Sequence, residues 1–434
     1  MAEVLTADSV VPTPTIRRRH ILAATVGNAL EFYDFTTYTY FATQIGHAFF
    51  PSKSDFASLM GSLAVFGVGF LGRPIGAVVI GLYGDRVGRK PAILLSFVLM
   101  GMAILGLAAT PAFATIGVAA PILVVVLRVV QGFALGGNVG PMTAYMLEAA
   151  PAEHRGFYAS LQYASQGLST LLGGIVGITL SSLLSDTELS VFGWRIAFLL
   201  GALVLPIGFV IQRYLPETLH HGVEAKTKPE PLRDHTQTII AGFIMLASTT
   251  MGFYVLAYLT TYASNTLHMK TTAAFSATIA FGMANVIFSM IGGALSDRIG
   301  RKPVMVGARV LFGIAAIPGF MILIHNRDAG TLVAVAFGLG ALSQMASPAI
   351  VALTEALPRA MRSASLSIIY ACAIAVFGGS TQSIVTELLH VTGNPLIPAY
   401  YLTAANVIGI LSMLAMKETA PVILARRAGK MLDS

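Results

Sequence analysis

"GDRVGRK", Gly84 to Lys90, is written again as "SDRIGRK", Ser296 to Lys302, each time between long apolar runs. Only 11% of the 434 residues are charged, so two clusters of this density need a reason. A helix needs roughly 20 apolar residues to cross a bilayer. Working outward from the two clusters on that scale gives twelve segments, near 21–46, 57–83, 91–110, 116–147, 156–184, 192–213, 237–263, 272–295, 303–324, 330–356, 363–389 and 397–416. Both clusters then fall in the loop between the second and third span of a half. The predicted fold class is an all-α membrane protein, twelve transmembrane helices in two six-helix halves.

Composition agrees. An apolar content of 55% and a mean hydropathy of +0.76 are far from a soluble domain, which carries roughly 25% charged residues. The net charge of +7 does not point to nucleic acid, because the basic residues sit in short loops and not on one face of a soluble module. The single cysteine, Cys372, lies inside an apolar run and excludes a disulfide framework or a cysteine metal site within one chain. Arg17, Arg18 and Arg19 before an apolar run superficially resemble a signal peptide, but that run is too long and carries Asn28, Glu31 and Asp34; it reads as a retained first span.

Loop charge orients the chain. One side holds 20 of the 27 Lys and Arg, the other only Lys53, Lys270 and Arg327, and the basic side of a membrane protein is cytoplasmic. Arg73, Arg128, Arg195 and Arg309 fall in or at the ends of spans. Both termini are expected in the cytoplasm, and a bacterial cytoplasmic (inner) membrane is the expected location. The polar stretch from Leu215 to Gln237 divides the halves. The expected organisation is a tail over 1–20, a six-helix half over 21–214, a cytoplasmic linker over 215–236, a second half over 237–417 and a tail over 418–434.

Two further echoes run in the same order. "EAAPAEHRG" from Glu148 matches "EALPRAMRS" from Glu355, and "PET" at Pro216 matches "KET" at Lys417. Convergent topogenic charge accounts for the basic residues, but not for the matched Asp, Gly and Pro. The reading is a parallel repeat, as in transporter halves related by an axis along the membrane normal.

The pattern Gly81-x-x-x-Asp85-Arg86-x-Gly88-Arg89-Lys90 and its copy from Gly293 to Lys302 resemble the signature loop of the major facilitator superfamily. Arg128-x-x-Gln131-Gly132 resembles a second signature. "NALEFYDF" from Asn28, "GFLGRPIGA" from Gly69 and "GWRIAF" from Gly193 resemble its metabolite:proton symporter branch; "FGGST" from Phe377 is similar to the citrate and tricarballylate carriers. The resemblance implies alternating access and a coupling acid in "YDF", namely Asp34. One position departs: the branch usually has Glu where this chain has Asn138.

Ionisable groups inside a membrane are functional candidates because each costs several kcal/mol there. Of 20 acidic residues only Glu31 and Asp34 fall well inside a span. Three residues apart, they share a helix face, and two carboxylates in a partly dry cavity repel, so one can hold a proton near neutral pH. They are the expected proton carriers, protons being the coupling ion and no other cofactor or metal being expected. Arg128 lies roughly 18 Å into its span at 1.5 Å per residue, near the depth of Asp34. It is assigned both as partner of Asp34 and as ligand for an anion, with Arg73, Gln131 and Asn138 beside it. Gln162 and Gln166, Thr250, Tyr254 and Tyr258, and Asn285 complete the expected substrate lining; each alone is more often an interhelical hydrogen bond. Counting Glu31, Asp34, Arg73 and Arg128, the cavity is neutral with both acids ionised and +1 with one protonated, which is symport of an anion by charge balance.

The repeated loops read as a gate. Asp85 and Asp297 can accept backbone N–H bonds from a facing helix start, while Arg86, Arg89, Arg155, Arg298, Arg301 and Arg362 bridge to Glu148 or Glu355. "GVGFLG", Gly67 to Gly72, matches a dinucleotide fingerprint but lies within an apolar span, so close helix packing is the reading. No phosphate-binding loop or hydrolase motif occurs, and the chain is not read as an enzyme. The expected function is proton-coupled import of a small carboxylate, citrate or a related tricarboxylate, by a monomer in the bilayer. Alternatives on the same fold are symport of 2-oxoglutarate, shikimate or a zwitterionic osmolyte. Drug/proton antiport is less favoured, since the fifth span lacks the Gly-Pro of such antiporters.

Overall fold

The apolar runs form helices because, in lipid, a backbone must satisfy its own hydrogen bonds. The computed structural model describes residues 18–87, 89–136, 146–147, 150–214, 235–358 and 362–432, and the Leu215–Gln237 linker lies almost wholly outside them. In chain order the spans are α1 (Arg18–Tyr40), α2 (Asp55–Val87), α3 (Arg89–Ala109), α4 (Ala119–Gly136), α5 (Arg155–Leu183), α6 (Asp186–Val210), α7 (Thr236–Ala257), α8 (Thr271–Ile299), α9 (Arg301–His325), α10 (Ala329–Ala356), α11 (Ser365–Thr392) and α12 (Ile397–Ala415). All but α1 are long and apolar enough to cross a membrane on composition alone. In α1, Asn28, Glu31 and Asp34 lower the hydropathy, and all three are buried. A last helix, α13 (Pro421–Leu432), follows α12.

The distribution of side chains is inverted relative to a protein in water. Leu71, Val118, Leu183, Ile314 and Leu411 are all more than half exposed, whereas Asn28, Gln131, Gln162 and Asn285 are fully buried. An outer belt of large apolar side chains is what hydrocarbon demands.

Small residues bring the helices together. A Cβ on Gly76 of α2 would lie 1.9 Å from the Phe133 carbonyl oxygen of α4, and one on Gly132 would lie 1.8 Å from that of Gly69. Two seams join the halves, α5 against α8 and α2 against α11. In the first, Gly167 and Gly174 meet Asn285 and Ile279; in the second, Gly67 and Gly379 meet backbone to backbone. The "GVGFLG" run is therefore packing surface, with Gly67 on the opposite half and Gly69 and Gly72 on α4. The two seams correspond under the internal repeat, since α8 repeats α2 and α11 repeats α5.

Gly300 explains the glycine of the second cluster. It turns the chain between α8 and α9 at φ 111°, which L side chains avoid, and a Cβ there would sit 2.7 Å from a Glu418 carboxylate oxygen.

Candidate functional site

Seven charged side chains are buried among the described residues, in two groups. Glu31, Asp34, Arg73, Arg128 and Arg309 lie in the middle of the bundle. Asp297 and Arg301 lie at the end that carries the repeated loops.

In the central group Asp34 and Arg128 are joined through Gln131. The Arg128 Nη1 donates to Gln131 Oε1 at 2.6 Å, and Gln131 Nε2 donates to Asp34 Oδ2 at 2.7 Å. Since Arg128 can only donate, the amide of Gln131 has one orientation and always presents N–H to the carboxylate. Asp34 Oδ1 is buried and accepts no hydrogen bond among the described residues. The guanidinium of Arg128 stands 4.4 Å from the Tyr38 ring and 5.4 Å from the Phe66 ring. That of Arg73 stands 4.5 Å from the Phe70 ring, with Tyr254 and Glu31 among its electrostatic neighbours. Aromatic faces stabilise these cations where water cannot.

Beside this cluster lies a cavity of about 40 Å³, walled in part by Phe32, Gln166, Thr250, Tyr254 and Tyr370. It has room for about three waters and is far below the ~300 Å³ of a ligand pocket. In this cavity wall Gln166 Nε2 donates across the halves to the Tyr370 hydroxyl at 3.5 Å. Helix breaks border it. α10 is interrupted by a turn at Met345–Ser347, and α11 passes through a π turn at Ile374–Gly378. Such breaks inside a bundle are where a transporter helix can line a cavity.

Of the residues expected to line the site, Gln166, Thr250 and Tyr254 are in the cavity wall. Gln162 donates to Asn28 Oδ1 at 3.3 Å, and Asn28 donates to Ser165 at 2.5 Å, so this part of α5 braces α1. Tyr258 accepts from Thr386 at 2.7 Å, tying α7 to α11. Asn285 is buried against Gly167 in the α5–α8 seam, with no hydrogen bond to either side-chain amide atom among the described residues. Asn138 lies outside the described residues. The sequence reading gave no role to Arg309, Tyr163, Ser343 and Gln344, which also wall the cavity. Arg309 carries the same signal as Arg128, an arginine several residues inside an apolar run.

At the other charged group the Asp297 carboxylate accepts from the backbone N–H of Gly156 at 2.8 Å and Phe157 at 2.9 Å, at the start of α5 in the opposite half. Arg301 Nη1 holds Asp297 at 2.5 Å, and its Nη2 holds Glu355 at 3.2 Å. Arg86 and Arg298 are exposed and Arg155 is half-buried. Glu148 and the side chains of Asp85, Arg89 and Arg362 lie outside the described residues. One member was visible only as the "KET" echo. Glu418 accepts from the N–H groups of Arg301 and Lys302 at 2.9 and 3.0 Å, and Thr419 donates to Glu355 at 2.8 Å. Burial opposes ionisation of Glu418, but the N–H groups of Ala420, Arg301, Lys302 and Thr419 outweigh it and hold the carboxyl below its ordinary range. A carboxyl with a lowered folded value adds stability above the unfolded value, about pH 4.3, and loses it as pH falls through the folded one. This contact is therefore intact at neutral pH. No group of three or more metal-ligating side chains occurs among the described residues.

Geometry and comparison meet here. The family model described as Major Facilitator Superfamily matches residues 24–371 and again 240–427, and the chain belongs to that superfamily of membrane transporters. It is 36% identical over 411 residues to the citrate-proton symporter of Klebsiella pneumoniae, covering 93% of each chain. It is 33% identical over 430 residues to the alpha-ketoglutarate permease of Escherichia coli (strain K12), covering 96% of this chain and 98% of that one. A crystal structure of a D-xylose-proton symporter superposes with a TM-score of 0.74 at 20% identity, covering 93% of this chain and 98% of that one, which speaks to the fold alone.

Proposed function

We propose that the chain is a proton-coupled symporter that imports a small carboxylate, citrate or a related tricarboxylate, across a bacterial cytoplasmic membrane by alternating access. The observation that carries this reading is the Asp34–Gln131–Arg128 chain beside a cavity between the halves. Asp34 Oδ1 is open to a proton while Oδ2 stays bonded to Gln131, so the acid can change charge without rebuilding its surroundings. Protonation removes the negative charge facing Arg128 and leaves the arginine available to a substrate carboxylate. The similarity to a citrate-proton symporter supports the substrate class, and that to an alpha-ketoglutarate permease favours a dicarboxylate as the second reading. Asp297, Arg301 and Glu355 are read as the cytoplasmic gate, protons as the coupling ion, and the monomer as the working unit.

The direct test is uptake of labelled citrate into proteoliposomes under an inward proton gradient, with competition by 2-oxoglutarate, shikimate and a zwitterionic osmolyte. Gradient-dependent uptake with competition confined to carboxylates is expected; no citrate uptake, with accumulation of the osmolyte, overturns the reading. The linker is placed in the cytoplasm. Ala225→Cys in a Cys372→Ser background is therefore expected to react with a membrane-impermeant maleimide in inside-out vesicles and not in intact cells. Labelling in intact cells would reverse the topology. Asn138 is assigned to the charge of the site. Asn138→Glu is expected to raise the KM for a tricarboxylate at neutral pH, because a charge several Å away is worth roughly a few kcal/mol at an effective dielectric of about 20. Acidification should partly restore it, and an unchanged KM from about pH 5.5 to 8 would leave residue 138 a packing position.

A further inference from the structure

Arg309 has no task in the mechanism above, yet among the described residues it is the one charged side chain in the wall of the central cavity. It is 1% exposed, and its Nε and Nη1 have no hydrogen-bond partner among the described residues. The guanidinium is seated against α7 at Gly252, where a Cβ would come within 3.3 Å of Nη1, and stands 5.6 Å from the Phe312 ring. Among the described residues no acid pairs with it, in contrast to Arg301, which two carboxylates hold. A buried, permanently charged fork in a cavity wall, with two nitrogens unpartnered among the described residues, has the chemistry of a carboxylate site.

Arg309 also changes the charge of the centre. Its five buried Asp, Glu and Arg side chains carry +1 with Glu31 and Asp34 both ionised, and +2 with one of them protonated. Arg73 and Arg128 belong to the first half and Arg309 to the second. Tyr254, which walls the cavity, packs its ring 5.4 Å from that of Phe70, over which Arg73 stands.

We infer that Arg309 is the carboxylate anchor of the second half, and that with Arg73 and Arg128 it sets the minimum charge of a good substrate at two. One carboxylate of the substrate forks onto Arg309 and a second takes up the arginines of the first half, so that the ligand itself bridges the halves. A zwitterion or a monoanion leaves one of these cations buried without a counter-charge. The inference rests on the carboxylate reading of the same site and names the residue and charge class that reading leaves open.

The test compares citrate, tricarballylate, glutarate and betaine as ligands of purified wild-type protein, Arg309→Gln and Arg309→Lys. Binding is measured by calorimetry at neutral pH, and melting without ligand serves as the folding control. Wild type is expected to bind the di- and tricarboxylates and not betaine. Arg309→Gln should weaken citrate at least about 50-fold and narrow the preference for tricarballylate over glutarate, while Arg309→Lys, which keeps the charge and loses the fork, should weaken citrate about 5- to 20-fold. Should Arg309→Gln fail the folding control, the Lys variant decides, because a purely structural arginine leaves the ligand preferences of the folded Lys variant unchanged. Citrate binding at wild-type strength in a folded variant overturns the role of Arg309 alone. Betaine binding with no carboxylate binding by wild type overturns the carboxylate reading and this inference together.

Discussion

Asp34→Asn is expected to abolish accumulation of substrate against its gradient while leaving exchange of internal for external substrate intact. With one proton per substrate and a gradient of two pH units, wild type can sustain an accumulation ratio of about 100, since each tenfold is worth about 1.4 kcal/mol. The variant should stay near unity. The amide resembles a permanently protonated acid: its oxygen can still accept the N–H of Gln131, which Arg128 holds in orientation, and no charge faces the arginine. Binding and rocking can continue, but the proton cycle cannot. Glu31→Gln should be milder, because Glu31 neighbours Arg73 and stands outside the Gln131 relay. Gradient-driven accumulation measured in proteoliposomes decides the matter; a concentrating Asp34→Asn protein would make Asp34 structural.

Asp297→Ala is expected to open the end of the bundle that carries the repeated loops. The substitution removes two backbone hydrogen bonds across the halves and one of the two counter-charges of Arg301, whose side chain is fully buried. Breaking a buried ion pair from one side costs about 3–5 kcal/mol. At 1.4 kcal/mol per tenfold that is a change of roughly two to three and a half orders of magnitude in the closed-to-open ratio. Ser160 lies under this contact, its Oγ 2.7 Å from where a Cβ on Gly293 would stand, and it is fully buried. Ser160→Cys should react with a maleimide at least about 100-fold faster when Asp297→Ala is also present. Asp297→Asn should be intermediate, since its amide oxygen can still accept one N–H. Equal labelling rates would remove the gate role and leave Asp297 a helix cap.

The Asp297 contact also shows why the motif takes the form it does. The acid of "SDRIGRK" caps a helix of the other half, the glycine makes the turn, and the second arginine fixes the acid. Arg298, the first arginine, is exposed. Spacing could not separate the two arginines, because which of them turns inward depends on the left-handed turn at Gly300.

By itself the sequence determined the twelve spans, the parallel repeat and the two buried acids of α1. Each follows from a cost that is local: apolar length against bilayer thickness, and the penalty on a charge in hydrocarbon. Tertiary structure alone decided which polar groups share a space. Gln162 and Gln166 lie four residues apart on α5, yet one braces α1 and the other faces the cavity, because the neighbouring helices differ. Arg128 and Arg309 look alike in sequence, each an arginine in an apolar run. One reaches an acid through Gln131, and the other stands in the cavity wall with no ion-pair partner among the described residues. The difference comes from contacts between helices far apart in the chain, α1 against α4 and α7 against α9, and a charge becomes a partner or a binding site only when those helices have met.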